Sequence, residues 1–290
     1  LDNDLRELFK SWFNPGFLKL AKITWDTKAA VLEKIIQYER VHKIKDMNEL
    51  KRRLGEDRRF FSYFHPALDD EPIIFVQVAL TNGLGKSIQE IMKPSSEGAK
   101  KYDTATFYSI SNCQEGLSRV TLGNFLIKRV VYEIQEELPN IKNFGTLSPI
   151  PGFRDWFTTL DEKIIQNILG KIPYNNVSFL KSPNLKVGDG RIVSNKHAII
   201  KLVAHYLMNE KNKKGLPIND VCRFHLGNGA IIDDININAN VSEVGFNRSF
   251  GVMVNYLYEL KSIEKNHEDY INFKKIIISN KLKKKNIKLF

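Results

Sequence analysis

Apolar positions recur at helical spacing in some stretches of the chain and cluster as strands in others. In AAVLEKIIQYERV, residues Val31, Ile35 and Tyr38 keep helical spacing, with Thr27 as the expected cap, and Asp46 with Glu49 forms a capping-box pattern ahead of MNELKRRL. Three runs rich in β-branched and aromatic residues predict strands over 58–64 (RRFFSYF), 72–80 (PIIFVQVAL) and 105–111 (ATFYSIS), with a helical excursion over 84–92. The clearest helix is VTLGNFLIKRVVYEIQEEL, where Leu122, Phe125, Leu126, Val130, Val131, Ile134 and Leu138 fall at helical spacing. A short strand over 143–147 ends at Ser148-Pro149-Ile150-Pro151-Gly152, and a looser region leads to the helix KHAIIKLVAHYLM over 196–208. Strands are predicted again around 221–226 and 250–259. Residues 1–22 read as a short helix broken at Asn14-Pro15-Gly16, a helical stub or linker. The pattern predicts a mixed α/β (α+β) domain over 23–265, a central mixed sheet flanked by helices, followed by a basic tail over 266–290.

Composition agrees with a globular chain: 42% of residues are hydrophobic and 27% charged. The net charge of +11 leans on the last ten residues, KLKKKNIKLF, which carry five lysines without an acidic partner and read as a frayed, solvated end. A basic balance suits a polyanion, whether nucleic acid, an anionic membrane surface or a phosphorylated cofactor. The lysine end lacks interleaved aromatics and any nucleic-acid-binding module, so neither nucleic acid nor membrane is expected as partner. Cys113 and Cys222 are too few for a disulfide framework and lack metal-ligand spacing, which predicts thiols in a reducing compartment and no metal site. No apolar run reaches the roughly 18 residues that span a bilayer, and no secretory h-region stands at the start. A soluble, cytoplasmic protein is expected, with mitochondria also compatible; the chain ends in Lys-Leu-Phe and not in a peroxisomal Ser-Lys-Leu. It opens on Leu1, which leaves room for a preceding segment.

A strand that feeds a glycine-containing loop and then a helix N-terminus gathers unpaired N–H groups and the positive end of a helix dipole, which together hold an anion. Residues 107–126 have that form, with Ser118, Arg119, Val120, Thr121, Leu122, Gly123 and Asn124 as donors and Gly116 and Gly123 allowing close approach. Neither the Rossmann nor the P-loop spacing is present, and on spacing alone an ordinary turn serves as well. The element order resembles the acetyltransferase fold of the GNAT superfamily, an acyl-CoA-binding fold. There the strand after the long helix splays to admit the pantetheine arm, and an acyl thioester would sit near Ser148.

Several segments go further and resemble malonyl-CoA decarboxylase: FNPGFLKLAKITWDTKAAVLEKIIQYERVHKI, LKRRLGEDRRFFSYFHPALDDEPIIFVQVALT, FYSISNCQEGLSRVTLGNFLIKRVV, TLSPIPGF, FHLGNGA and GVMVNYLY. The resemblance implies decarboxylation of malonyl-CoA to acetyl-CoA and CO₂, a step of fatty acid metabolism, with Ser148 and His225 as catalytic residues. It maps the CoA loop onto Ser118 to Asn124 and brings Ser109 and Tyr258 to the substrate. It implies no metal or organic cofactor, coenzyme A being part of the substrate. A homo-oligomer, a tetramer, is implied where the family's N-terminal helical domain is present, of which residues 1–22 would be the remnant. The chain departs from the family at Thr121, where a glutamate is usual, and at Asp234, Ile235, Asn236, Ile237, Ala239 and Asn240, where Arg-Ile-Asn-Trp and Ala-Asp are common.

Loss of CO₂ from a malonyl thioester leaves electrons on C2 as an enolate, which needs stabilisation and a proton. Imidazole titrates near neutrality and a hydroxyl can orient or relay, so His225 is expected as proton donor with Ser148 as its partner. Without the resemblance, Ser148 is as well explained as a turn residue before proline. His225, ahead of Gly227 and Gly229, is expected at a strand end facing a cleft, whereas His65 reads as structural and His42, His197, His205 and His267 as surface or helix-face residues. Two other readings compete: a GNAT-type acyltransferase, which would need a base for its amine acceptor, and a decayed homologue that binds CoA without turnover.

Overall fold

The computed structural model describes residues 8, 11–13, 16–93, 102–114, 116 and 123–285. The chain divides into two compact units, one of Leu1–Leu84 and Met92–Gly145, the other of Gly85–Ile91 and Thr146–Phe290.

The first unit runs β1 (Lys19–Lys22), α1 (Ala29–Tyr38), α2 (Met47–Arg53), β2 (Arg58–Phe64) and β3 (Pro72–Thr81). After α3 (Ile88–Ile91), which belongs to the second unit, come β4 (Thr104–Asn112), α4 (Gly123–Glu137) and β5 (Asn143–Thr146), whose last residue, Thr146, opens the remainder of the second unit. The strands stand in the order β1-β2-β3-β4-β5, with β1–β2, β2–β3 and β3–β4 antiparallel. Every residue of β3 from Pro72 to Leu80 is buried, as an unbroken apolar run requires of a strand covered on both faces. Val31, Leu32 and Ile35 of α1 pack with Leu50, Phe60 and Phe75, so the helical stripe becomes a core face.

Two local expectations change. Lys19–Lys22, expected inside a helical stub, is a strand hydrogen-bonded along β2, with Lys19 opposite Phe64 and Lys22 opposite Phe61. Thr27 does not cap α1; its hydroxyl accepts the Thr24 N–H at 3.0 Å, and Lys28 stands at the cap position. The cap at α2 forms as read, Asp46 accepting the Glu49 N–H at 2.8 Å, but the reciprocal bond is displaced by one residue: Glu49 accepts the Lys45 N–H at 3.1 Å and not that of Asp46.

The second unit holds β6 (Ser148–Pro149), α5 (Phe153–Thr159), α6 (Glu162–Leu169), α7 (Gly190–Ser194), α8 (Lys196–Met208), α9 (Asp220–Gly227), β7 (Ile231–Asn236), α10 (Glu243–Ser249), β8 (Met253–Leu257), α11 (Ile263–Phe273) and α12 (Asn280–Lys283). β8 pairs antiparallel with both β6 and β7. The region after Gly152 is thus more regular than its sequence suggested: Asp161 caps α6 through the Ile164 N–H at 2.8 Å. Phe153, Phe157 and Phe250 are fully buried and meet edge-on or tilted beside Tyr206, which makes an aromatic core next to the Ser148 turn. The strand predicted over 221–226 is instead helix α9, and β7 lies in a stretch without a predicted element.

The chain end is docked and not frayed, at least as far as Lys285. Ser279 caps α12, its hydroxyl donates to the Asp233 carbonyl at 2.8 Å, and Leu282 is fully buried. Lys281 and Lys285 reach Asp234 at 2.6 and 2.5 Å. Burial would raise the Asp234 carboxyl's pKa, but the hydrogen bonds and charges of these two lysines outweigh it and hold the group below its usual range. Asp234, one of the departures from the family pattern, therefore serves as the anchor for the C-terminal segment.

Leu282→Ala should lower the unfolding free energy by about 2–3 kcal/mol in urea denaturation, because a filled apolar position is emptied. Lys281→Ala, at a half-exposed site, should cost about 1 kcal/mol or less. Equal, negligible costs for both would return this segment to a solvated tail.

Candidate active site

Thr146 and Ser148 lie two residues apart on extended backbone, and so do Tyr256 and Tyr258 at the end of β8; side chains so spaced fall on one face. His225, expected at a strand end, is carried by helix α9. The sequence VCRFHL has strand-like β-branched and aromatic residues, but Asn219 accepts the Cys222 N–H at 2.8 Å and starts a helix.

One hydrogen-bonded chain crosses the unit. The Ser148 hydroxyl donates to Thr146 Oγ1 at 2.8 Å and lies 3.0 Å from His225 Nε2. The other ring nitrogen, Nδ1, is 2.7 Å from the Tyr258 hydroxyl. The Tyr256 ring stacks on the imidazole with centroids 4.4 Å apart and planes 26° from parallel. All five side chains are buried. Both ring nitrogens face hydroxyls, so burial acts on the imidazole without a carboxylate to offset it. It pushes the His225 pKa down to about 3, and the ring is neutral at physiological pH. Burial likewise pushes the Tyr258 phenol well above its ordinary value.

The motif glycines and prolines hold this chain in register. The Pro151 carbonyl accepts from the Tyr206 hydroxyl at 3.0 Å and from Asn219 Nδ2 at 2.9 Å, so the turn after Ser148 is tied to the start of the helix that carries His225. Gly152 has φ +78°, and a Cβ there would lie 2.8 Å from the Tyr206 oxygen that makes this bond. At Gly229, φ is also +78° and a Cβ would sit 2.0 Å from the Ile263 carbonyl oxygen.

Of the other expected site residues, Ser109 is buried in the first unit and donates to Glu39 Oε2 at 2.7 Å. Ser111 and Gln77 also donate to Glu39, which makes a carboxylate-centred cluster beside the bulge at Tyr108 in β4. Ser118, Arg119, Val120, Thr121 and Leu122 lie outside the described residues; Gly123 and Asn124 are the first residues of α4. Among the described residues no cluster of three or more His, Cys, Asp or Glu side chains could hold a metal, and no helix is long and apolar enough to cross a membrane. Cys113 and Cys222 are both buried and free. Thr146, Tyr256 and Asn219 escaped the sequence reading, although Thr146 and Tyr256 lie inside the quoted motifs, each two positions from a candidate residue on an extended segment.

The family model of the malonyl-CoA decarboxylase C-terminal domain matches residues 16–289. The chain belongs to the malonyl-CoA decarboxylase family. It is 38% identical over 300 residues to the mitochondrial malonyl-CoA decarboxylase of Anser anser anser, a match that covers 96% of this chain and 59% of that protein. The chain thus spans about three-fifths of the length of such relatives. A crystal structure of malonyl-CoA decarboxylase from Rhodopseudomonas palustris superposes with a TM-score of 0.88 at 43% identity, covering 98% of this chain and 70% of that one. The loading GNATL domain of CurA from Lyngbya majuscula, at 11% identity and a TM-score of 0.52 over 84% of this chain and 98% of its own, shares the fold alone. The GNAT-like fold expected for this family member is therefore borne out.

A neutral buried His225 makes stability depend on pH with a definite sign. Below about pH 6.5 the unfolded chain binds a proton that the folded chain refuses until about pH 3, so stability falls as pH falls through that window. His225→Asn should flatten the dependence by up to about 1.4 kcal/mol per pH unit there, read from urea unfolding at a series of pH values. Parallel curves for the two proteins would mean that the ring titrates alike when folded and unfolded.

Proposed function

We propose that this chain catalyses decarboxylation of malonyl-CoA to acetyl-CoA and CO₂, with His225 as proton donor and Ser148 as its partner. The observation that carries this reading is the Ser148–His225–Tyr258 chain, buried and built from neutral groups. The family match supports the substrate, and the electron demand of the reaction supports the site. When CO₂ leaves, its bonding pair passes into the thioester as an enolate, so the thioester itself is the electron sink and no metal or organic cofactor is needed.

One proton is consumed per turnover, and His225 is where it enters. The ring is neutral before substrate arrives; a malonyl carboxylate brought beside it is a negative charge in a dry environment and favours the imidazolium. As CO₂ leaves, the proton on Nε2 moves by way of the Ser148 hydroxyl to C2, and the ring returns to its neutral form. Malonyl-CoA plus one proton gives acetyl-CoA and CO₂, which balances. We read Ser118 to Asn124, the glycine-containing segment of the sequence pattern, as the residues that hold the phosphates of coenzyme A, and Ser109 and Tyr258 as further substrate-side residues. Buried thiols suit a reducing compartment, cytoplasm or mitochondrion.

A GNAT-type acyltransferase would need a base to take the proton of an ammonium acceptor, and an imidazole with a pKa of about 3 is a poor one. In the test, purified protein is incubated with malonyl-CoA while acetyl-CoA and CO₂ are followed. Ser148→Ala and His225→Asn should each cut kcat by about a hundred- to ten-thousand-fold while CoA affinity persists. The double variant should be scarcely worse than the poorer single one. A wild-type protein that binds CoA without turnover would establish the decayed reading, and near-normal turnover in either folded single variant would remove that residue from the mechanism.

A further inference from the structure

We propose that Thr146 is a positioning residue which acts through Ser148 to fix the tautomer of His225, so that the resting ring carries its proton on Nε2. This goes beyond the decarboxylase reading and rests on it only for its kinetic consequence.

Thr146 is fully buried, and its side-chain oxygen is an acceptor twice over: it receives the Ser148 hydroxyl proton at 2.8 Å and the Tyr256 N–H at 3.3 Å. Its backbone is clamped as well. The Thr146 carbonyl accepts from Asn255 Nδ2 at 2.7 Å, and Asn255 is itself oriented by Asn236 Nδ2, which donates to its Oδ1 at 2.6 Å. A β-branched threonine is restricted at χ1, and one whose hydroxyl oxygen and carbonyl are both held presents a fixed acceptor. The serine hydroxyl has a single proton. Once that proton is given to Thr146, the Ser148 oxygen can only accept from the imidazole, which requires hydrogen on Nε2. The neutral ring then has none on Nδ1, and Nδ1 accepts from the Tyr258 hydroxyl at 2.7 Å.

The polarity of the whole chain therefore follows from one side-chain oxygen that touches neither the imidazole nor, on this account, the substrate. Its value to the reaction is that the transferable proton already faces Ser148 when Nδ1 becomes protonated. With the opposite tautomer, Ser148 would donate to Nε2 and the ring would have no proton to pass in that direction.

Thr146→Val keeps the shape and removes the acceptor. Nitrogen-15 chemical shifts of the His225 ring in the ligand-free protein report which nitrogen bears hydrogen, independently of any activity. The native protein and Thr146→Ser should show a protonated Nε2 and a bare Nδ1, and Thr146→Val should show the reverse. Tyr258→Phe removes only the partner of Nδ1 and should leave Nε2 protonated. Turnover of malonyl-CoA should fall about tenfold to a hundredfold in Thr146→Val at little change in KM, and recover in Thr146→Ser. A native ring protonated on Nδ1, an unchanged tautomer in Thr146→Val, or a tautomer that flips in Tyr258→Phe would each overturn the assignment. Should Thr146→Val fail to fold, the native protein, Thr146→Ser and Tyr258→Phe still decide it. A native protein without turnover would remove the decarboxylase reading alone, because the ring assignment is read in its absence.

Discussion

The 3.0 Å contact between Ser148 and His225 joins positions 77 residues apart, and much of the second unit can be understood as what holds it. The serine sits on β6, the histidine on α9, and neither element is long enough to fix the other. The Pro151 carbonyl does so, because Tyr206 from α8 and Asn219 from the start of α9 both donate to it. Asn219 also caps α9, so one buried amide sets where the helix begins and how far the Ser148 turn lies from it. Gly152 leaves room for the Tyr206 hydroxyl that makes one of these bonds, and Gly229, after α9, for the Ile263 carbonyl.

Electrostatics then decide what the contact can do. In a hydrolytic serine–histidine arrangement, a carboxylate behind the ring stabilises the imidazolium that forms when serine is deprotonated. Here a phenol stands in that position, its own pKa raised by burial, and among the described residues no negative charge offsets the cost of an imidazolium. The resting site is thus a poor activator of a nucleophile. It is well suited to a reaction whose substrate brings the negative charge, since the charge that draws a proton onto the ring is the one lost as CO₂.

Much of the architecture is legible in the sequence where local preference and burial agree. KHAIIKLVAHYLM is apolar on nearly every side and is helix α8 from end to end, and the unbroken run PIIFVQVAL is a strand buried on both faces. The misreadings fall where partners are distant. IIDDIN has two consecutive aspartates, a poor strand by composition, and the lysines that neutralise Asp234 come from α12 and the residues just after it, some fifty residues on. KLAK is too short to announce itself and gains its strand character from pairing with β2. VCRFHL looks like a strand until the cap at Asn219 is weighed. Ser148, His225 and Tyr258 were visible only through resemblance to a family, since a serine before proline or a tyrosine in a strand has no chemical signature of its own. Thr146 lacked even that: its part depends on the direction of a hydrogen bond, which no spacing encodes.

His225 is kept neutral by burial, with a hydroxyl at each ring nitrogen and the Tyr256 ring stacked on its face. The direct test is the pH titration of the His225 ring carbon resonance in the folded, ligand-free protein. The structure predicts a ring that stays neutral from pH 8 down to about pH 4, because its pKa is held near 3. An inflection near pH 6.5, the ordinary value for a solvated histidine, would contradict it.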